Sequence, residues 1–240
     1  MVFFFDLDNT LLDDNAAQAK YLPALYKNFG NYINCSEDEF RQRWREATPR
    51  YHQLYAEGAI TFEEQRFRRV RDSFNNPSLD EDTLRTIIST FDSVFSKSWT
   101  LFPKTIPVLQ KLQDFPLGII TNGSLEQQSR KIDSTNIRPY FDCIVISEEV
   151  GIAKPHPEIF HHACSLLHCS PEDCYFIGDS LENDVLGALS AGMQPVWFNT
   201  TNAPVPEHLC SIKIISNLEE ALKLPFDFDL HHSRANSRNS

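Results

Sequence analysis

No apolar run in this chain approaches the length needed to cross a membrane. The first strand-like segment begins at Val2, so no cationic region followed by an apolar one precedes it. We therefore expect a soluble, cytoplasmic protein. Excess positive charge is missing too. Lys and Arg number 22 against 33 Asp and Glu, and the formal net charge of −11 is the wrong sign for a non-specific binder of nucleic acid or anionic membrane. An anionic substrate would have to meet a few locally placed cations. Cysteine occurs at Cys35, Cys143, Cys164, Cys169, Cys174 and Cys210, never as Cys-x-x-Cys, which is too sparse for a disulfide scaffold at this length. His161, His162, Cys164, His168 and Cys169 lie close together in sequence. However, Ile159, Phe160, Ala163, Leu166 and Leu167 give that segment a helical apolar stripe, and the ligand spacing is not that of a zinc site. No internal repeat is present.

What remains is ordinary globular material of 240 residues, enough for one α/β domain with a sizeable insertion or for two small domains. Val2-Phe3-Phe4-Phe5 reads as a strand buried on both faces, and it ends in Asp6-Leu7-Asp8-Asn9-Thr10. Some eighty helical residues follow. Tyr21, Leu22, Leu25, Tyr26 and Phe29 repeat at helical spacing up to Gly30. Capping boxes at Ser36–Glu39 and Thr61–Glu64 open two further helices, and Asp80 caps a fourth. Pro49 predicts a kink or break near Thr48. Four amphipathic helices on short connections read as a four-helix bundle. From Phe102 the pattern alternates between helix and strand, with strands at Leu117–Ile120, Cys143–Ile146, Cys174–Ile177, Pro195–Phe198 and Ile212–Ile215. That alternation predicts a parallel sheet sandwiched by helices. An insertion after the first strand would emerge from the carboxyl edge of such a sheet, over Asp6 and Asp8, where a lid belongs. We thus expect a core over 1–13 and 100–226, a helical cap over 14–99, and a disordered tail over 227–240.

Parallel strands bring their carboxyl ends to one edge, where open α/β sheets place their ligands. Asp6 and Asp8 lie there after the first strand. Thr121-Asn122-Gly123 ends another strand just before a helix, and free N–H groups at a helix N-terminus suit phosphate. Lys154 stands in a turn between Pro155, Pro157 and Gly151, and Gly178-Asp179 with Asp184 repeats the opening pattern. Four carboxylates with no nitrogen or sulfur ligands select Mg²⁺. Thr121 and Lys154 would supply the hydrogen bond and positive charge that a phosphoryl group needs.

Asp6-Leu7-Asp8-Asn9-Thr10, Thr121-Asn122-Gly123, Lys154-Pro155 and Gly178-Asp179 with Asp184 resemble, in order, the four motifs of the haloacid dehalogenase superfamily. The helical insertion is similar to the subfamily with an α-helical cap. The Gly178–Ala188 stretch looks like the branch holding house-cleaning nucleotide phosphatases and N-acylneuraminate-9-phosphatase. The resemblance implies a Rossmann-like α/β core and a Mg²⁺-dependent phosphatase acting on a small phosphorylated metabolite, a nucleotide or sugar phosphate. It implies Asp6 as nucleophile and Asp8 as proton donor and acceptor. Thr121 and Asn122 would hold the phosphoryl oxygens, with Lys154 offsetting charge and Thr10 shaping the loop. Metal would be held by Asp6, the Asp8 backbone carbonyl and Asp179, with Asp184 acting through water or orienting Lys154. The superfamily's dehalogenases lack an acid two residues after the nucleophile, so Asp8 speaks for a phosphatase. A sugar-phosphate mutase is the alternative, followed by a dehalogenase and a non-catalytic binding protein. Specificity is expected in the cap, among Arg43, Arg45, His52, Arg66, Arg69, Arg71, Tyr51 and Tyr55.

Overall fold

A computed structural model describes residues 1–224; the expected tail at 227–240 lies outside the described residues. Six parallel strands form one sheet in the order β3-β2-β1-β4-β5-β6. They are β1 (Val2–Phe5), β2 (Leu117–Thr121), β3 (Cys143–Ile146), β4 (Cys174–Gly178), β5 (Gln194–Phe198) and β6 (Lys213–Ile215). The chain starts in the middle of the sheet, so β1 is hydrogen-bonded on both sides, to β2 and β4. This is why it reads as an unbroken apolar run: Phe3, Phe4 and Phe5 are all fully buried. Gly118 of β2 faces Phe4. A Cβ at Gly118 would lie 2.6 Å from the Phe4 ring, so no larger residue fits there.

The chain divides into two compact units, one built from Met1–Leu12 with the segment from Leu101 onward, the other from Asp13–Thr100. The second unit holds four helices: α1 (Asp14–Phe29), α2 (Glu37–Ala56), α3 (Phe62–Ser73) and α4 (Glu81–Phe95). Its core is aromatic, with Tyr21 in edge contact with Trp44, Phe91 and Phe95. Ser36 and Glu39 form the reciprocal capping box expected of them. Thr61 accepts from the Glu64 N–H, but the Glu64 carboxylate pairs with Arg68 one turn on and does not return to the cap. The break expected near Thr48 is absent. α2 runs through Pro49, with Trp44 and Tyr51 buried on either side of it and the Thr48 hydroxyl donating to the Trp44 carbonyl at 2.7 Å.

In the sheet-bearing unit, α5 (Thr105–Lys111), α6 (Leu125–Ser134), α7 (Ser147–Val150) and α8 (Pro157–Leu166) connect the strands. α5 starts two residues later than Pro103 suggests, because Lys104 takes a left-handed conformation. The helix read from Leu181 onward opens as a π turn (Leu181–Leu186) before α9 (Gly187–Ser190). Among the described residues no helix is long and apolar enough to cross a membrane.

Leu84 of α4 is fully buried in the helical unit's core. Leu84→Ala is expected to cost about 2–5 kcal/mol, read as a lowered midpoint in denaturant unfolding.

Candidate active site

Because β2, β1 and β4 are neighbours, the residues following them share one edge of the sheet. The Asp6 N–H donates to the Ile177 carbonyl at 2.9 Å and extends the ladder by one residue, which fixes Asp6 beside the end of β4. Beyond it Asn9 turns the chain with φ of 59°, a conformation asparagine tolerates. The Asn9 N–H closes on the Leu12 carbonyl at 2.7 Å. Thr10 is fully buried in that turn.

Asp6, Asp179 and Asp184 bring carboxylate oxygens within 4.8 Å of one another. Lys154 enters the group as its cation. Its Nζ donates to Asp6 Oδ1 at 2.7 Å and to Asp184 Oδ1 at 2.6 Å. Asp6, Lys154 and Asp184 are only 6%, 3% and 2% exposed, so these charges interact through protein and not through water. Burial pushes the Asp6 carboxyl up to about 7, against Lys154 and with the help of Asp184 and Asp8. Burial, then Asp6 and Asp184, push Asp179 up to about 8. Burial alone would lower Lys154, but Asp184 and Asp6 more than reverse it. The π turn explains how Asp184 arrives: the N–H groups of both Asp184 and Val185 bond the Ser180 carbonyl, and the Ser180 N–H donates back to Asp184 Oδ2 at 2.9 Å. Gly178 leaves room for this carboxylate. A Cβ there would lie 2.4 Å from Asp184 Cγ.

Asp8 is not in that group. Lys131 Nζ donates to its Oδ1 at 2.6 Å and Gln128 Nε2 to its Oδ2 at 3.0 Å. Gln128 Nε2 also donates to Thr121 Oγ1 at 2.7 Å. The Asn122 side chain is engaged elsewhere: its amide donates to the Lys154 carbonyl and its Oδ1 accepts from the Lys154 N–H, both at 2.9 Å, tying the two loops together. Two N–H groups opening α6 are taken as well, Leu125 by Glu148 and Gln127 by Ser124. The helix-terminus reading is thereby narrowed. Any phosphate must use Thr121 and the loop backbone, not those two groups.

Gln128 and Lys131 were missed in the sequence. The available signal was a mismatch of periodicity, since polar residues occupy the buried phase of α6 next to Ile132. In the helical unit, several cations are already engaged. Arg66 pairs with Asp92, Arg71 donates to the Leu79 carbonyl, Arg69 lies buried over the Trp44 ring, and Tyr51 donates to Asp72. Away from the carboxylates, the Sγ atoms of Cys164, Cys169 and Cys174 lie within 4.8 Å of one another. Cys174 comes from β4, outside the segment read for zinc, while His161 bonds the Ala191 carbonyl.

A family model described as haloacid dehalogenase-like hydrolase matches residues 1–192. The chain belongs to the haloacid dehalogenase-like hydrolases. It is 29% identical over 223 residues to N-acylneuraminate-9-phosphatase of Rattus norvegicus, covering 87% of this chain and 88% of that one. To pyrimidine 5'-nucleotidase YjjG of Escherichia coli it is 28% identical over 224 residues, covering 92% and 96%. Among solved structures, the HAD-hydrolase YfnB of Bacillus subtilis, bound to magnesium, superposes with a TM-score of 0.78 at 25% identity over 93% of this chain and 97% of that chain.

The acidic group of this hydrolase fits a divalent ion. Its three carboxylates are hard oxygen donors, and one ammonium leaves two formal negative charges uncompensated. Burial is the main reason that the Asp6 and Asp179 carboxyls are raised, and their carboxylate neighbours add to it. Folded carboxyls raised above the unfolded value stabilise the fold fully only below about pH 4, and that stability is lost as pH rises through about 7 and 8. Metal-free protein should therefore lose thermal stability between pH 5 and 8.5. Added Mg²⁺ should raise the melting temperature more at pH 8 than at pH 5.5. A shift of equal size at both would show that the ion does not meet these groups. Gly178→Ala should push Asp184 aside and abolish most of the Mg²⁺-dependent shift.

Proposed function

We propose that this hydrolase is a Mg²⁺-dependent phosphatase that hydrolyses a small phosphomonoester through an aspartyl-phosphate. The observation carrying the reading is the division of labour between Asp6 and Asp8. Asp6 shares Lys154 with Asp184 in the buried acidic group, while Asp8, two residues on, is bonded to Lys131 and Gln128. A nucleophile and a proton carrier need different surroundings, and these two carboxylates have them.

In the first step an Asp6 oxygen attacks phosphorus, the bond from phosphorus to the leaving oxygen breaks, and Asp8 gives that oxygen its proton. In the second step Asp8 takes a proton from water as the water oxygen attacks phosphorus. The Asp6–phosphorus bond then breaks, phosphate leaves, and both carboxylates are restored. Thr121 and the Asn122 backbone amide hold phosphoryl oxygens. Lys154 offsets charge on Asp6 and on the phosphoryl group. Asp6, the Asp8 carbonyl and Asp179 would hold Mg²⁺, which supplies electrostatic stabilisation of the transferring group. The 2.6 Å bond from Lys154 supports Asp184 as the residue that orients Lys154.

Relatives named for N-acylneuraminate 9-phosphate and pyrimidine nucleotide hydrolysis support a phosphorylated metabolite as substrate. We assign its discrimination to the helical unit of residues 14–99, acting as a cap. Arg66, Arg69, Arg71 and Tyr51 are engaged within that unit, His52 lies against Arg69 and Tyr55 against the Phe62 ring, which leaves Arg43 and Arg45 of α2 as the better candidates from the sequence.

Phosphate release should be measured across a panel of sugar phosphates and nucleotides, with and without chelator. Turnover should require Mg²⁺ and fall by roughly 10³-fold or more in Asp6→Asn. Activity surviving that substitution, or halide release from 2-haloacids, would refute the proposal. Isomerisation of a sugar phosphate without phosphate release would identify a mutase.

A further inference from the structure

The Asp8 carboxylate is held at both oxygens by one face of α6, from residues three apart on the helix. The contacts reach far along the chain, with sequence separations of 123 and 120 residues. Lys131 is unusual for a helix residue: its side chain is only 4% exposed, against 29% for Asp8. Burying an ammonium costs several kcal/mol in desolvation, and an ion pair seldom recovers more than that. Fold stability is thus a poor reason for a lysine here. Orientation of the carboxylate is a better one.

Gln128 adds a second constraint. The atom facing Asp8 Oδ2 must be the amide nitrogen, because a carboxylate oxygen only accepts. That nitrogen carries two hydrogens, and its two shortest contacts are Thr121 Oγ1 at 2.7 Å and Asp8 Oδ2 at 3.0 Å. Thr121 Oγ1 is therefore an acceptor toward Gln128, and its own hydrogen makes a long contact to the Asn122 carbonyl at 3.5 Å, which a nearer acceptor would displace. A phosphoryl oxygen is the acceptor the reaction provides. One amide thus sets both the direction of the Thr121 hydroxyl and the position of the Asp8 carboxylate.

We infer that Lys131 and Gln128 are positioning residues that hold the Asp8 proton carrier in register with the phosphoryl-binding hydroxyl of Thr121. The inference rests on the phosphatase reading above. Lys131 anchors Oδ1 through a short charge-assisted bond, leaving Oδ2, which accepts from the neutral Gln128 amide, as the oxygen that exchanges the proton. A carboxylate turned away from the leaving oxygen would still be ionisable but could not deliver its proton.

The test compares two leaving groups in one protein preparation. The first substrate is the best alkyl phosphomonoester from the panel above, whose alkoxide must be protonated as it leaves. The second is p-nitrophenyl phosphate, whose phenolate departs unprotonated. The parameter kcat/KM reports the steps up to departure of the leaving group, and the ratio of the two values does not depend on how much protein is folded. In Lys131→Met, kcat/KM for the alkyl ester should fall about 100-fold and that for the aryl ester no more than about threefold. Lys131→Arg, which retains the cation, should recover most of the loss. Gln128→Leu should lower the same ratio and also raise KM for both esters, because Thr121 loses its partner. An unchanged ratio in Lys131→Met and Gln128→Leu, whether both activities persist or both collapse, overturns the inference. A wild-type protein that turns over both esters while its variants keep the ratio refutes this inference alone. One that turns over neither refutes the phosphatase reading, and the inference with it.

Discussion

One ammonium group stands in the acidic cluster at the edge of the sheet. Lys154 contacts Asp6 and Asp184 directly, yet it faces three carboxylates, Asp6 and Asp184 buried and Asp179 half-buried. Such an arrangement is electrostatically incomplete: burial first, and then the neighbouring carboxylates, raise Asp6 and Asp179. Much of the local architecture serves to assemble it. A central strand ends in Asp6, the neighbouring strand ends in Gly178, a π turn returns Asp184 to the edge, and Asn122 clamps the backbone of Lys154.

Asp8 has its own cation. Lys131 occupies one of its oxygens, so the four acids near this edge divide into a group of three sharing Lys154 and a single one paired with Lys131. The two acids thus have separate cations, although the Asp8 charge still contributes to raising Asp6. Residues two apart on one loop therefore meet different charges. The left-handed Asn9 turns the chain just after Asp8, with Thr10 buried in the turn.

The parts legible in the sequence were those whose signal is local. Four apolar strand cores each followed by a polar or acidic residue announced the sheet edge, and Asp6, Asp8, Asp179 and Asp184 could be read from those endings. The capping residues Ser36 and Asp80 likewise act within one helical turn. Harder to read were features decided by packing. Pro49 weakens α2 locally, but Trp44 and Tyr51 on either side bury enough surface to carry the helix through. Thr61 kept only half of its capping box because Glu64 found Arg68 closer. Gln128 and Lys131 could be seen only as polar residues in the wrong phase of an amphipathic helix, since the loop they serve is more than a hundred residues away.

That last failure bears on how activity is distributed over the fold. A motif marks residues that touch the reacting atoms, and those cluster at strand ends where spacing is rigid. The residues that aim them sit on helices, where the sheet-facing positions are normally apolar. A polar pair at such positions gives up burial of apolar surface, about 25 cal/mol for each Å², and gains only orientation. In α6 the exchange is made twice, at Gln128 and at Lys131, while Ile132 alongside them keeps the apolar contact. Orientation matters most for a group that must both give and receive a proton, because it has to meet the leaving oxygen in one step and the attacking water in the next. In the mechanism proposed above Asp8 is the carboxylate with that requirement, and it is the one α6 holds at both oxygens.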